Sequence, residues 1–216
     1  MPSLPLLLGH RGTRATTGVA ENSFASFDLA LEHGCSGFEF DVRRAACGTA
    51  VVCHDARVGK ASVAKTRATV LTKLPRLSHV LENYAQRAFL DIELKVKDLE
   101  SNVLAALREY PPKKGYVVSS FLPEVVMELE ARNASVSIGI ICETPGQLAT
   151  WRNLRVDYVI AHTSLVDDRL VRSVKSAGLR IFVWTVNDAE DMVRFARWGV
   201  DGLISDDPKL LAHVLG

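Results

Sequence analysis

The chain has 216 residues, of which 48% are hydrophobic and 24% are charged, and its formal net charge is +1 at pH 7. This length suits one domain better than two, so we expect a single domain over residues 1–216. The near-neutral balance excludes a basic stripe for nucleic acid, so a charged small molecule would have to be recognised by a local cluster. No apolar run reaches the length of a membrane span, and the apolar start at 4–8 has no preceding positive region. These features favour a cytoplasmic protein without a membrane anchor, and they indicate no particular oligomeric state.

Short apolar runs alternate with amphipathic stretches along the chain. The apolar runs predict strands at 4–10, 37–42, 89–95, 116–121, 137–142, 158–163, 180–186 and 202–206. The amphipathic stretches predict helices at 23–32, 124–132, 147–152, 168–177 and 189–198, the first capped by Asn22. Strands that alternate with helices indicate parallel βαβ units. Eight such units at this length favour an α/β fold of the (β/α)8 TIM-barrel type, with an open doubly wound sheet as the alternative.

The segment after the second strand departs from this alternation. Residues 50–55 read Ala-Val-Val-Cys-His-Asp and follow strand two after only a short Cys-Gly turn. A parallel crossover needs about a dozen residues, so this segment must return antiparallel and bring His54 near Asp41. Residues 56–87, here named the cap region, are the least regular part, and they predict a short cap over the barrel mouth followed by a helix at 77–84.

Polar side chains concentrate at the predicted strand ends, which face the active site in a (β/α)8 enzyme. They are His10 and Arg11 at the end of strand one, Glu39 and Asp41 in strand two, His54 on the returning segment, and Glu93 and Lys95 in strand three; Trp184 lies in strand seven. Because side chains alternate across a strand, Glu39 and Asp41 share one face, and so do Glu93 and Lys95.

This set of side chains suits phosphoryl transfer. Three carboxylates that converge inside a barrel repel one another unless a cation joins them, and their oxygens suit Mg²⁺ or Ca²⁺ better than zinc. His10 and His54 can exchange protons near neutral pH. Arg11 and Lys95 can offset the charge of a phosphate. A metal, an acid/base pair and two cations are the parts that such a site requires.

Seven short motifs in a fixed order connect the chain to a known family. They are HRG at 10–12, AENS at 20–23, EFDV at 39–42, VVCHD at 51–55, ELK at 93–95, WTVND at 184–188 and DGLISDDP at 201–208. The chain thereby resembles the glycerophosphodiester phosphodiesterases along nearly its whole length. The resemblance implies hydrolysis of a small glycerophosphodiester to glycerol 3-phosphate and an alcohol, with the substrate's glycerol hydroxyl as nucleophile and a cyclic phosphate as intermediate.

The resemblance also implies roles for individual residues. Glu39, Asp41 and Glu93 would bind the divalent cation, and His10 and His54 would be the general acid and base. Arg11 and Lys95 would contact the phosphate, and Trp184 would line the alcohol side of the pocket.

The sequence departs from the family pattern near the predicted pocket. Ala20 and Ser23 replace the usual proline and threonine, the loop 13–19 is longer, and the stretch after His54 lacks the usual Arg-Thr-Thr signature. A lysophospholipase D or a phosphodiester lyase acting on a lipid is therefore an alternative, as are a catalytically silent phosphate-binding barrel and a phosphate-binding isomerase. A core packing role is the alternative for Trp184.

Overall fold

Parallel strands close into a barrel in the computed structural model, which describes residues 4–133 and 135–216. The strands are β1 (Leu6–Gly9), β2 (Gly37–Arg44), β3 (Ala50–Val52), β4 (Arg57–Val58), β5 (Ala61–Ser62), β6 (Phe89–Leu94), β7 (Tyr116–Ser120), β8 (Ile138–Cys142), β9 (Tyr158–His162), β10 (Arg180–Trp184) and β11 (Gly202–Ser205). The barrel order is β1-β11-β10-β9-β8-β7-β6-β2, and pairing of β1 with β2 closes it. The predicted (β/α)8 barrel is confirmed, and the open-sheet alternative is excluded.

Helices connect these strands on the outside of the barrel. They are α1 (Phe24–Glu32), α2 (Leu77–Tyr84), α3 (Glu100–Glu109), α4 (Pro123–Arg132), α5 (Pro145–Ala149), α6 (Asp168–Ser176), α7 (Ala189–Trp198) and α8 (Pro208–Leu215). The sequence did not predict α3 or α8, and the helix predicted at 147–152 is divided between α5 and a 3-10 turn at Thr150–Asn153. None of the helices in the described residues combines the length and the apolarity that a membrane crossing requires.

Two apolar layers hold the barrel together. The outer layer lies between the strands and the helices, and the inner layer fills the barrel. Near the amino ends of the strands, Phe182 packs against Tyr158 and Phe89 at ring-centroid distances of 4.9 and 5.8 Å. These rings fill the barrel near the amino ends of its strands, and the cavity lined by His10 and Glu39 lies toward the carboxyl ends.

The predicted return of the chain after β2 is confirmed. β2 continues past the barrel and pairs antiparallel with β3, with Val42 opposite Val52 and Arg44 opposite Ala50. The Cys53 N–H then donates to the Asp41 carbonyl at 2.9 Å. This ladder brings the next residue, His54, back to the barrel mouth.

The cap region begins with a two-stranded ribbon of β4 and β5 and a 3-10 turn at Val63–Lys65, and it ends with α2. Its apolar side chains Val63 and Leu71 join a small buried cluster with Val51 from the hairpin. At its base, the Val52 N–H donates to the Pro75 carbonyl at 2.8 Å, and a β-bridge joins Val51 to Arg76. The part of the cap region that precedes α2 is therefore a loop closed at its base by the hairpin.

Candidate active site

Three buried carboxylates converge at the carboxyl ends of β2 and β6. These strands are parallel neighbours, with Glu39 opposite Asp91 and Asp41 opposite Glu93. Carboxylate oxygens of Glu39, Asp41 and Glu93 all lie within 4.8 Å of one another. Among the described residues, no group hydrogen-bonds Glu39 Oε1, which is buried. A buried oxygen without a hydrogen-bond partner destabilises the fold unless a bound ligand contacts it.

The charges at this cluster do not balance. Lys95 Nζ lies 2.6 Å from Glu93 Oε1 and 3.3 Å from Asp41 Oδ1, and Arg11 Nε lies 3.2 Å from Asp41 Oδ2. Burial, together with the charge of Asp41, raises the pKa of Glu93 to about 7 and that of Glu39 well above its usual range. The pKa of Asp41 is lowered despite its burial, because Lys95 and Arg11 favour its charged form. Two cations thus face three carboxylates, and additional positive charge would be stabilised here.

The donor set fits a hard divalent cation. Calcium–oxygen bonds are about 2.3–2.6 Å and magnesium–oxygen bonds about 2.0–2.1 Å. Two ligands on opposite sides of a calcium ion are therefore about 5 Å apart, which accommodates the 4.8 Å span of the cluster. Three carboxylates without a nitrogen or sulfur ligand favour such an ion over zinc. The cluster could hold a metal ion of this class.

The HRG motif forms a tight turn that places Arg11 beside the carboxylate cluster. Arg11 has a φ of 52° and Gly12 a φ of 81°, which is the left-handed region that glycine adopts without strain. A Cβ on Gly12 would lie 2.5 Å from the Ser26 side chain, so the turn also needs glycine for space. In this conformation the Arg11 N–H donates to Glu39 Oε2 at 2.9 Å, and the Arg11 guanidinium reaches Glu21 Oε1 at 2.8 Å.

His10 lies between two carboxylates at the end of β1. Its Nδ1 is 2.7 Å from Asp206 Oδ1, and its Nε2 is 3.8 Å from Glu39 Oε2. The pKa of Asp206 is lowered to about 2 despite partial burial, because His10 and Asn187 hydrogen-bond to it and Arg14 lies nearby. The imidazole is therefore fixed at one nitrogen and presents the other to the carboxylate cluster.

His54 reaches the same cavity from the returning hairpin. Its carbonyl accepts a hydrogen bond from Arg43 Nε at 2.5 Å, and its Nδ1 lies 2.9 Å from Asp55 Oδ1. The His54 side chain is 33% exposed, against 10% for His10, so the two imidazoles differ in their access to solvent.

All of the predicted site residues except Asp41 line one cavity of about 300 Å³. The charged residues and the histidines among them form its polar side together with Asp91 and Glu143, and Asp41 is buried with 1% of its surface exposed. Phe121, Ile141, Ile160, Trp184 and Ile204 form an apolar wall. Trp184 packs edge-on against Phe121, with ring centroids 5.5 Å apart, and thus both lines the cavity and takes part in packing.

Several residues of the site were missed at the level of sequence. Asp91 lies two residues before Glu93 on the same strand face, and burial raises its pKa to about 7; the alternation of β6 could have identified it. The assignment of Asn22 as a helix cap is wrong, because Ser23 Oγ accepts the Ser26 N–H of α1 while Asn22 Nδ2 donates to Asp41 Oδ2 at 2.8 Å. Asn22 has a φ of 56°, and this backbone turn directs it to the carboxylate.

Asp206 was also not predicted as a site residue. It directly follows β11, and a polar residue at a strand end is the signal that identified the site residues of β1, β2 and β6. It lies within the DGLISDDP motif, but only the fold brings it to His10.

Comparison with known proteins identifies one family. A model of the glycerophosphoryl diester phosphodiesterase family matches residues 10–89 and 80–210. A glycerophosphodiester phosphodiesterase of Caldanaerobacter subterraneus subsp. tengcongensis is 28% identical over 239 aligned positions, which cover 97% of each chain. A putative glycerophosphodiester phosphodiesterase of Bacillus subtilis is 28% identical and covers 95% of this chain and 96% of its own.

Solved structures show the same fold. A putative glycerophosphoryl diester phosphodiesterase from Silicibacter pomeroyi superposes with a TM-score of 0.89 at 22% identity, covering 100% of this chain and 94% of its own. An Oleispira antarctica phosphodiesterase, in complex with the product sn-glycerol-3-phosphate, superposes with a TM-score of 0.85 at 23% identity, covering 98% of this chain and 96% of its own. Since the family model spans most of the sequence, the chain belongs to the glycerophosphoryl diester phosphodiesterase family and is an enzyme of that class.

Proposed function

We propose that the chain hydrolyses small glycerophosphodiesters to glycerol 3-phosphate and an alcohol in a metal-dependent reaction, with His10 and His54 as general acid and base. The convergence of a carboxylate cluster, two histidines and two cations on one cavity carries the proposal. The presence of sn-glycerol-3-phosphate in the related Oleispira antarctica phosphodiesterase supports this product.

Glu39, Asp41 and Glu93 would hold Mg²⁺ or Ca²⁺. When bound, such an ion polarises a phosphoryl oxygen and offsets the negative charge that develops on it. Among the described residues no group hydrogen-bonds Glu39 Oε1, and the pKa of Glu93 is raised. Both observations support this assignment, because a bound cation would contact the free oxygen and stabilise the ionised form of Glu93. Asn22 keeps Asp41 in place through two hydrogen bonds, donating from Nδ2 to Asp41 Oδ2 at 2.8 Å and accepting the Asp41 N–H at 3.1 Å.

Arg11 and Lys95 would bind the phosphate of the substrate. Both side chains line the cavity and lie beside carboxylates of the cluster. Arg11 is held on its far side by Glu21, so its guanidinium is preorganised without substrate. Charge-assisted hydrogen bonds from preorganised cations stabilise a phosphoryl transition state without further rearrangement.

The histidines would move the protons of two successive steps. The glycerol hydroxyl adjacent to the diester attacks phosphorus and gives its proton to one histidine, while the bond from phosphorus to the alcohol oxygen breaks and the other histidine protonates that oxygen. Water then opens the cyclic phosphate, and the protons move in the opposite direction. Both histidines return to their starting states, and the net reaction consumes one water molecule.

The shape of the cavity favours a water-soluble diester over the lipid alternative. A volume of about 300 Å³ suits a small substrate, and the apolar wall that includes Trp184 would face its glycerol part. A long acyl chain needs contiguous apolar surface, because each buried CH₂ contributes about 0.8 kcal/mol. In the described part of the cap region, only Val58 and Val70 are exposed large hydrophobic side chains.

The test is a panel of activities in metal-free protein reconstituted with Mg²⁺ or Ca²⁺. Glycerophosphocholine, glycerophosphoethanolamine, glycerophosphoglycerol and a lysophospholipid are the substrates, and release of glycerol 3-phosphate is the readout. We expect turnover of the water-soluble diesters that depends on added cation. Full activity after exhaustive chelation would refute the metal assignment, and a strong preference for the lysophospholipid would favour the lipid alternative.

A further inference from the structure

The carboxylate of Asp206 contacts His10 on the side away from the carboxylate cluster. The distance from His10 Nδ1 to Asp206 Oδ1 is 2.7 Å, which is short for an N–H···O bond and typical of a charge-assisted one. We propose that Asp206 is a positioning residue that fixes the orientation of the His10 ring and the nitrogen that carries its hydrogen. This inference rests on the proposed role of His10 in proton transfer.

An ionised carboxylate can only accept hydrogen bonds. Its partner Nδ1 must therefore carry the hydrogen, and Nε2 of the neutral ring is left with its lone pair. Nε2 is the nitrogen that lies toward the cluster, 3.8 Å from Glu39 Oε2. Asp206 thus selects the tautomer of His10 whose free nitrogen points into the site.

The surroundings of Asp206 require it to be a carboxylate. Asn187 Oδ1 accepts the Asp206 N–H at 2.9 Å and the Ser205 hydroxyl at 3.1 Å, so Asn187 Nδ2 must face Asp206 Oδ2, to which it donates at 2.8 Å. Arg14 Nη1 donates to Asp206 Oδ1 at 3.2 Å. Three donors therefore point at the two oxygens of Asp206, from His10, Arg14 and Asn187.

The backbone around Asp206 is also fixed. The Arg14 and Ala15 N–H groups donate to the Asp206 carbonyl at 3.0 and 3.1 Å, and the His10 N–H donates to the Ser205 carbonyl at 2.7 Å. These bonds join the ends of β1 and β11, so Asp206 and His10 keep their relative position without help from substrate.

This arrangement predicts an unusual order of effects for two substitutions. In Asp206→Asn, the fixed donor Asn187 Nδ2 keeps the new amide oxygen on its own side, so the amide nitrogen faces His10 Nδ1. Arg14, whose side chain is 39% exposed, can move away. The amide N–H then makes Nδ1 an acceptor and moves the ring hydrogen to Nε2, where it blocks proton uptake from substrate. Asp206→Ala removes the partner without imposing the wrong tautomer.

The first experiment compares steady-state kinetics of Asp206→Asn, Asp206→Ala and the neighbouring control Asp207→Asn in the cation-loaded enzyme. Asp207 is a suitable control because it caps α8 by accepting the Leu210 N–H at 2.9 Å, a bond that asparagine can replace. We expect kcat to fall about 10- to 100-fold in Asp206→Ala and at least as far in Asp206→Asn, with KM changed by less than about twofold. If Asp206 only supported the loop, Asp206→Asn would lose less kcat than Asp206→Ala, because asparagine preserves the shape of aspartate. A smaller loss in Asp206→Asn than in Asp206→Ala, or normal kcat in both variants, would overturn the proposal.

The second experiment reads the tautomer directly and needs no turnover. Proteins labelled with ¹⁵N-histidine and saturated with Mg²⁺ are compared by two-bond ¹H–¹⁵N correlation spectra at pH 8.5, and the His10 signals are assigned by their absence in His10→Ala. We expect the Nδ1–H form in the wild type and in Asp207→Asn, and the Nε2–H form in Asp206→Asn. An Nε2–H wild type, or an unchanged tautomer in Asp206→Asn, would overturn the inference. Normal kcat in His10→Ala would instead overturn the proposed function, so the two failures are distinguishable.

Discussion

Replacement of Glu93 by glutamine should raise the stability of the metal-free protein and remove its response to divalent cations. Glu93 is buried beside Asp41, so its negative charge is unfavourable until a cation arrives. Glutamine keeps an oxygen for Lys95 Nζ, which lies 2.6 Å from Glu93 Oε1, and it removes the charge without changing the volume. The substitution therefore isolates the electrostatic contribution of one carboxylate.

The size of the effect follows from the pKa of Glu93, which rises from 4.5 to about 7 through burial and then the charge of Asp41. Each pKa unit corresponds to about 1.4 kcal/mol, so ionised Glu93 lowers the free energy of unfolding of the metal-free protein by up to about 3 kcal/mol. Because the folded pKa is above the unfolded one, this loss develops as the pH rises from about 4.5 to about 7. The advantage of Glu93→Gln should thus be absent at pH 4 and complete at pH 8.

Divalent cations should reverse the comparison. A free cation concentration of 100 times Kd stabilises a binding-competent fold by about 2.7 kcal/mol, which wild type should gain and Glu93→Gln should lose. The assay is urea unfolding at pH 4 and pH 8, in chelator and in a titration of Mg²⁺ or Ca²⁺, with the exposed Glu82→Gln of α2 as matched control. A variant less stable than wild type in chelator at pH 8 would refute the electrostatic argument. An unchanged response to cations would remove Glu93 from the ligand set.

Three further predictions concern turnover. His10→Ala and His54→Ala should each lower kcat by about 10²-fold or more with little change in KM, as expected for a positioned acid or base; near-normal kcat in steady-state assays would exclude that histidine from the mechanism. Trp184→Ala should raise KM for glycerophosphocholine and glycerophosphoethanolamine alike, because the indole belongs to the shared cavity wall, and a loss confined to one substrate would contradict this placement. When the two substrates compete, kcat/KM should be higher for glycerophosphocholine than for lysophosphatidylcholine. The reverse preference would contradict the proposed preference for water-soluble diesters.

The barrel and the convergence of Glu39, Asp41 and Glu93 could be predicted from the sequence because both depend on regular spacing. Alternation of apolar and amphipathic stretches gave the barrel strands to within about two residues at their ends. The two-residue alternation within β2 and β6 placed Glu39, Asp41 and Glu93 on one side. The hairpin followed from chain length alone, since too few residues separate β2 from β3 for a crossover.

The contacts that spacing does not encode were missed. The bond between His10 and Asp206 joins residues 196 positions apart, and only closure of the barrel between β1 and β11 brings them together. Asn22 looked like a helix cap because its residue type suits that role, but its left-handed backbone directs the side chain elsewhere. Helices α3 and α8 were missed although only α3 lacks a side-chain capping bond at its start; Asp207 caps α8, so capping signals alone do not reveal the helices of this chain.

The closed base of residues 56–74 determines how freely this segment can change. The bond from Val52 to Pro75 and the bridge from Val51 to Arg76 close the segment at its base, whatever its length. The entropic cost of closing such a loop grows only with the logarithm of its length, so doubling the length costs about 0.6 kcal/mol. His54 is held from the barrel side by Arg43, and it would keep its place during such an exchange. We therefore expect that residues 56–74 can be exchanged as a unit, by evolution or by design, while His54 and the carboxylates of the barrel keep their positions.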